Sequence, residues 1–322
     1  MKHYKILGEK IRMPPRFITI LEKIITPIEA EILLALENPA NSKEISIALS
    51  YDEEKIEDIL KSLFKNGYIS KKNDEYKSKD FFSIVDTLLG EGKYQSLEKH
   101  EIDSLREYYL RKRHEISIKL IEEEKIPVSS KVIPVMQSFK GLQHILPTEE
   151  ALKIIKNART FALTNCTCRT AFNNCDNPKE TCILLDNVAC KLLERGVARK
   201  ISLEKAEEVL LQANEYNLVH LTIYNPSGVY AICSCCECCC HDLQSIKKYG
   251  RPDIIAKSDY VALVESTCIH CGICVERCIF DARRMDDGTM IYDPEKCHGC
   301  GLCISTCPEG ATRLIPRHEI QG

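Results

Sequence analysis

Cysteine is the residue type with most chemistry to offer in this chain: nineteen of them, with none before Cys166. Eight fall in two runs of the form Cys-x2-Cys-x2-Cys-x3-Cys. The first is Cys268, Cys271, Cys274 and Cys278; after eighteen intervening residues come Cys297, Cys300, Cys303 and Cys307. Three thiolates at that spacing let one tight loop wrap a cube of iron and sulfide, while the fourth points away and completes the cube of the other run. The spacing therefore predicts two [4Fe–4S] clusters, one on Cys268, Cys271, Cys274 and Cys307, the other on Cys297, Cys300, Cys303 and Cys278. Zinc also uses Cys-x2-Cys, but normally as two separated pairs rather than triplets with a trailing fourth. Gly272, Gly299 and Gly301 stand where the backbone must turn closely and aim N–H groups at sulfur. Between the runs, Asp286-Asp287-Gly288 signals a short hairpin within Ala282 to Tyr292.

This pattern closely resembles the two-cluster bacterial ferredoxins over about 55 residues. The second run ends Cys307-Pro308 as the family does, whereas the first ends Cys278-Ile279. The resemblance implies a ferredoxin-like fold and transfer of single electrons.

Ten further cysteines lie between Cys166 and Cys240, apart from Cys190. Cys166, Cys168, Cys175 and Cys182 put four thiols in seventeen residues, in loops with Asn173, Asn174, Asn177 and Pro178, and predict a third [4Fe–4S] site or a structural zinc site. Cys233, Cys235, Cys236, Cys238, Cys239 and Cys240 are six cysteines in eight residues, too many for one cubane. In an extended chain Cys233 and Cys235 point one way and Cys236 the other. Either this run holds a fourth cluster by itself, or it interleaves with the first four thiols to hold two clusters side by side; a soft-metal or copper(I) site is a further alternative. Cys190 reads as core packing, in a helix shared with Ile183, Leu184, Val188, Leu192 and Leu193. Arg169 and Arg199 read as surface salt-bridge residues, with balancing of cluster charge as the second reading. His220, His241, His270 and His298 are candidate proton carriers, with a bystander role favoured for all but His241, which abuts the six-cysteine run.

An odd number of cysteines in metal-like spacings, without an apolar signal-peptide core in MKHYKILGEKIRMPPR, argues for thiolate ligands in a reducing, anaerobic cytoplasm rather than disulfides. The net charge of −3 implies no general attraction to nucleic acid or anionic membrane, and no apolar run is long enough to span a bilayer. Neither a Gly-x-Gly-x2-Gly turn nor a Gly-x4-Gly-Lys-Ser/Thr loop is present, so electrons are expected to enter and leave through partner proteins.

The elements that carry these thiols predict an α+β chain of four parts. Residues 1–80 hold three short helices and a polar hairpin. Thr26-Pro27 opens the first helix, Ser42 caps the second, and Ile56, Ile59, Leu60, Leu63 and Phe64 form the buried stripe of the third, from Asp52 to Asn66, before Gly67 stops it. This order resembles the winged helix-turn-helix domain of multiple-antibiotic-resistance-type regulators. Such a domain reads DNA with its third helix, yet here that helix presents Asp52, Glu53, Glu54, Glu57 and Asp58. Lys71, Lys72, Lys77 and Lys79 on the wing could touch a nucleic-acid backbone, but no arginine lies between Arg16 and Arg106, so docking to a protein is favoured over DNA. Residues 81–145 read as a helical arm, broken at Gly90-Glu91-Gly92, that either links domains or makes a homodimer. An extended connector through Pro127, Val128, Ile133, Pro134 and Val135 follows. Residues 146–255 read as a mainly helical cysteine-rich domain, with a helix starting at Pro147 and a small hairpin at Asn225-Pro226-Ser227-Gly228. Residues 256–322 form the dicluster part. As a whole the chain resembles multi-domain iron–sulfur proteins of anaerobes, which implies electron transfer and names no substrate. The leading expectation is an electron carrier or redox subunit. A redox-sensing transcription regulator and a reductase with a catalytic cluster at Cys233–Cys240 are the alternatives.

Overall fold

The computed structural model describes residues 2–134 and 148–319. Val135, Pro147 and the expected boundary at 145/146 lie outside the described residues. The chain divides into two compact units. One comprises Met1–Arg113 with Thr170–Phe172 and Glu194–Val197; the other comprises His114–Arg169, Asn173–Leu193 and Ala198–Gly322.

The first unit is helical apart from one hairpin. It runs α1 (Lys2–Lys10), α2 (Ile18–Ile24), α3 (Pro27–Ala35), α4 (Ser42–Leu49), α5 (Glu53–Asn66), β1 (Ile69–Lys72), β2 (Glu75–Ser78), α6 (Phe81–Gly90) and the start of α7 (Lys99–Glu122). Thr26 caps α3 through a reciprocal pair with Glu29. Asn41, not the expected Ser42, caps α4. Its Oδ1 accepts from Glu44 N at 3.0 Å and the Glu44 carboxylate returns on Asn41 N at 2.9 Å, a box that Ser42, one residue too late, cannot close. Gly67, at φ 78°, ends α5 in the left-handed conformation. Ile56, Leu60 and Leu63 are buried, and Glu53, Glu54, Glu57 and Asp58 are exposed, as is Asp52. Helices α1 and α2 and the segment joining them add Tyr4, Leu7, Ile11, Phe17 and Leu21 to the same core. The sequence reading passed over them, although Tyr4, Leu7 and Ile11 recur at helical spacing.

The second unit is built on a sheet. Its strands are β3 (Ser130–Ile133), β4 (Phe161–Asn165), β5 (Glu180–Leu185), β6 (Arg199–Lys200), β7 (Val219–Asn225), β8 (Gly228–Cys235) and β9 (Ile255–Ala256), in the order β6-β4-β5-β8-β7-β3-β9. All pairings are antiparallel except β3 with β9. The expected small hairpin, β7–β8, is therefore the centre of a seven-stranded sheet, and part of the expected connector is strand β3. Ile183 and Leu184 lie in β5 rather than in the helix of Cys190. Their aliphatic run suits a strand buried on both faces, which periodicity cannot separate from a buried helix.

Alternation along the strands divides two cores. Leu163, Ile183, Leu185 and Ile232 face α8 (Thr148–Asn157) and α11 (Leu203–Glu215). On the other side, Cys182, Leu184, Ala231 and Cys235 meet Leu243 of α12 (His241–Tyr249). Helices α9 (Thr167–Phe172) and α10 (Asp186–Glu194) follow β4 and β5. The last part of the unit carries β10 (Tyr260–Val264) paired with β13 (Thr312–Pro316), α13 (Ile273–Glu276), and the hairpin β11 (Arg283–Asp286)–β12 (Thr289–Tyr292). The hairpin turns at Asp287 and Gly288 with φ 42° and 76°, the two positive values a type I′ turn requires.

Candidate metal centres

The antiparallel β10–β13 pair brings the two ends of the cysteine-rich tail together, and with them Cys268 and Cys307. Cys268, Cys271, Cys274 and Cys307 line one cavity, together with Met290 and Pro308. Cys278, Cys297, Cys300 and Cys303 line a second, with Ala262, Phe280 and Leu314. The structure thus brings the members of each expected quartet to one cavity. Backbone donors converge on their sulfurs: Ala311 N on Cys307 at 3.2 Å, Gly299 N on Cys297 at 3.4 Å, and the N–H groups of Phe280 and Ala282 on Cys278. Gly299, at φ 68°, lies so close to the Tyr260 carbonyl and Ser258 that a Cβ has no room. Thiolate sulfur around a central space, with N–H groups aimed at it, suits an anionic iron–sulfur cube.

Arg283 is a residue the sequence reading missed. It is 4 % exposed and donates to Cys274 Sγ at 3.3 Å. Burial opposes its charge, but Cys303 and Cys274, one from each quartet, outweigh that and hold the guanidinium protonated. The signal available was the hairpin itself. A turn at Asp287-Gly288 pairs Arg283 with Tyr292, and the guanidinium lies over that ring at 4.9 Å.

The structure interleaves thiols of the first four cysteines with those of the later run: Cys182 meets Cys233, and Cys175 meets Cys236 and Cys239. Cys166 caps α9, Cys168 lies inside that helix, Cys175 in the loop beyond it and Cys182 in β5, so two of the four are not in loops. Continuing the β5–β8 register, which pairs Ile183 with Ile232, sets Cys182 opposite Cys233; their sulfurs are 3.6 Å apart. Beyond that pair, Cys235, Cys240, Cys168 and Cys166 lie near enough in succession to shift one another's protonation. Cys168 Sγ also lies 3.1 Å from His241 Nδ1, and His241 Nε2 lies 3.1 Å from Asp242. A hydrogen bond from Cys182 holds the Cys233 thiol well down, and bonding to that thiolate holds Cys182 well up. Cys240 is brought down to about 6, chiefly by its hydrogen bond with Cys168. Adjacent thiols cannot all ionise on their own; a bound cation is what lets the rest release protons.

Cys175, by contrast, meets Cys236 at 3.8 Å and Cys239 at 3.9 Å, and Cys238 meets Cys239 at 3.9 Å.

Arg169 is not on the surface. It is fully buried, with Nη1 2.8 Å from Ser234 O and 3.8 Å from Cys236 Sγ, and Nη2 bonded to Thr181. Burial works against its charge, and the sulfurs of Cys166, Cys236 and Cys235 outweigh it. Among the described residues no carboxylate pairs with it; α9 carries it inward beside the thiols, where a cation is needed. Arg199 does make an exposed pair with Glu180 at 2.8 Å. Cys190 is exposed, a correction to its reading as core: α10 buries Ala189 and turns Cys190 outward. His220 is buried between Ser234 Oγ and Asn214 Oδ1, and burial lowers it to about 4. His298 stacks on Phe280 at 4.0 Å, and His270 Nδ1 accepts from Met290 N.

Among the described residues no helix is long and apolar enough to cross a membrane. No curated protein and no solved structure matches the chain. Residues 267–311, which span both runs, match the family model of the 4Fe-4S dicluster domain, and this supports an iron–sulfur segment there.

Proposed function

We propose that the chain is an electron-transfer protein that passes single electrons between partner redox proteins. Two [4Fe–4S] clusters would be held by Cys268, Cys271, Cys274 and Cys307 and by Cys297, Cys300, Cys303 and Cys278. The observation that carries this is the gathering of each quartet around its own cavity within a segment matching the dicluster model. When bound, each cluster would supply one-electron chemistry. The chain's own residues would bury it, neutralise it through Arg283 and aim N–H groups at its sulfurs.

The two quartets differ in surroundings. Near the first, Cys271, Ile269, Ile273 and Met285 are exposed and offer a partner an apolar contact. At the second, Cys300 and Leu302 join the core that contains Cys235, Cys240 and Leu243. This supports entry of electrons at the first quartet and passage toward the middle thiols. The helix–helix–helix–hairpin order of α3 to β2 supports a winged helix used for docking. A groove lined by Glu29, Asp52, Glu54 and Asp58, against Lys55 as the single cation among the described residues of its lining, opposes contact with nucleic-acid phosphates.

Anaerobically purified protein should hold at least about eight irons per chain and show reduced-cluster signals in low-temperature magnetic resonance. Zinc or disulfides on the eight tail cysteines would overturn the proposal. A second reading, a reductase, is favoured by a cavity beside the cysteine run, walled by Leu243, Ile246, Ile255 and Phe280 and edged by Glu237 and Lys247. It requires that an added small ligand perturb the signal of an iron in the middle segment.

A further inference from the structure

The four sulfurs of Cys175, Cys236, Cys238 and Cys239 all lie within 4.8 Å of one another. Among the described residues this is the one group of three or more metal-type donors found at such mutual closeness. A single metal with metal–sulfur bonds of about 2.3 Å sets the edge of its sulfur tetrahedron at about 3.8 Å. A [4Fe–4S] cube, which interposes iron and sulfide, holds its cysteine sulfurs roughly 6 Å apart. The contacts of 3.8, 3.9 and 3.9 Å in this quartet match the first dimension. All four are free thiols, so no disulfide accounts for the approach.

We propose that Cys175, Cys236, Cys238 and Cys239 form a mononuclear tetrathiolate site that takes one zinc ion. The surroundings fit that chemistry. The N–H of Asn177 donates to Cys175 and that of Asn174 to Cys239, while Asn174 Nδ2 bonds Cys238 O at 3.0 Å. Four thiolates on a divalent ion carry two excess negative charges, and the buried guanidinium of Arg169, 3.8 Å from Cys236 Sγ, offsets part of them. Four protein ligands leave no open position, so the role is structural. The ion clamps the 173–178 loop to the turn after β8. That fixes where Cys233, Cys235 and Cys240 stand, leaving them with Cys166, Cys168 and Cys182 as a separate set on the sheet. The proposal goes beyond the electron-transfer reading and does not depend on it.

The full chain, purified without oxygen from zinc- and iron-supplemented cells, is measured by metal analysis and by X-ray absorption at the zinc edge. The expected result is about one zinc per chain with four sulfur neighbours at about 2.3 Å. Cys238→Ala should abolish zinc retention and leave iron per chain unchanged. Absence of zinc, nitrogen or oxygen in its ligand shell, or loss of about four irons in Cys238→Ala would overturn the proposal. If that variant does not fold, the wild-type absorption spectrum decides alone. The magnetic resonance of the dicluster segment is followed in the same samples, so failure of the electron-transfer reading registers separately.

Discussion

Arg169 and Arg283 carry the most information of any single residues outside the cysteines. Both are buried cations, and among the described residues neither has a carboxylate partner; each faces sulfur instead. A buried charge without a counter-charge costs several kcal/mol, so thiolates must supply the balance. For Arg283 the consequence is electrical. Removing one positive charge several ångströms from a cluster, at an effective dielectric near 20, is worth on the order of 2 kcal/mol, or roughly 100 mV for one electron. Arg283→Gln should therefore move the cluster potentials to more negative values by about that amount in a spectroscopic redox titration, with Arg283→Lys in between. An unchanged potential would mean the guanidinium only fills space. His220 makes a different kind of prediction. Burial puts its folded pKa at about 4, below the ordinary 6.5. Its neutral form is the one the fold accepts, so its contribution is fully present above pH ~6.5 and is lost as pH falls toward 4. Over that window the loss approaches about 3 kcal/mol. Denaturant unfolding of wild type against His220→Gln should show this slope in the wild type alone.

At the scale of elements, β5 and β8 explain why cysteines so far apart in sequence meet. Their antiparallel register sets Cys182 against Cys233, and the two-residue period puts Cys233 and Cys235 on one face, where β8 ends before Cys236. The shared face of Cys233 and Cys235 was legible from the run alone, as were α3, α5 and the β1–β2 hairpin, because capping residues, apolar stripes and strand alternation are local signals. The partner of each middle cysteine was not legible. Pairing depends on which strands are neighbours, and the order β4-β5-β8-β7 is a long-range property. The same limit hid the sheet itself: Ile183 and Leu184 read as helix because a short apolar run carries no period of its own. Cys190 shows the cost, since moving two residues from helix to strand resets the face of α10 that is buried. Its exposure predicts that alkylation of the metal-loaded protein labels Cys190 readily, and that Cys190→Ser keeps the full iron content. Loss of iron in that variant would make Cys190 a ligand after all.

On the scale of the whole second unit, the dicluster segment is not a tail hung on a finished domain. Leu302, 1 % exposed between Cys300 and Cys303, belongs to the same core as Leu221, Ala231, Leu243 and Ile254, and Ile279, Phe280 and Cys300 pack against it. Strand β9 extends the sheet up to the residues that lead into β10, and Lys131 of β3 pairs with Asp259 at 3.1 Å. A shared core makes separate unfolding expensive, because either part alone would expose apolar surface that the other covers. Leu302→Ala should therefore destabilise sheet and dicluster segment together by about 2–5 kcal/mol. Met285→Ala, at an exposed position of the hairpin β11–β12, should stay within about 0.5 kcal/mol. The readout is chemical unfolding under anaerobic conditions, followed both by cluster absorbance and by far-ultraviolet dichroism of the sheet. Coincident transitions that shift together in Leu302→Ala are expected; a cluster transition that moves while the sheet transition stays put would show two independently folding parts, and the short packed route from the second quartet to the middle thiols would lose its structural basis.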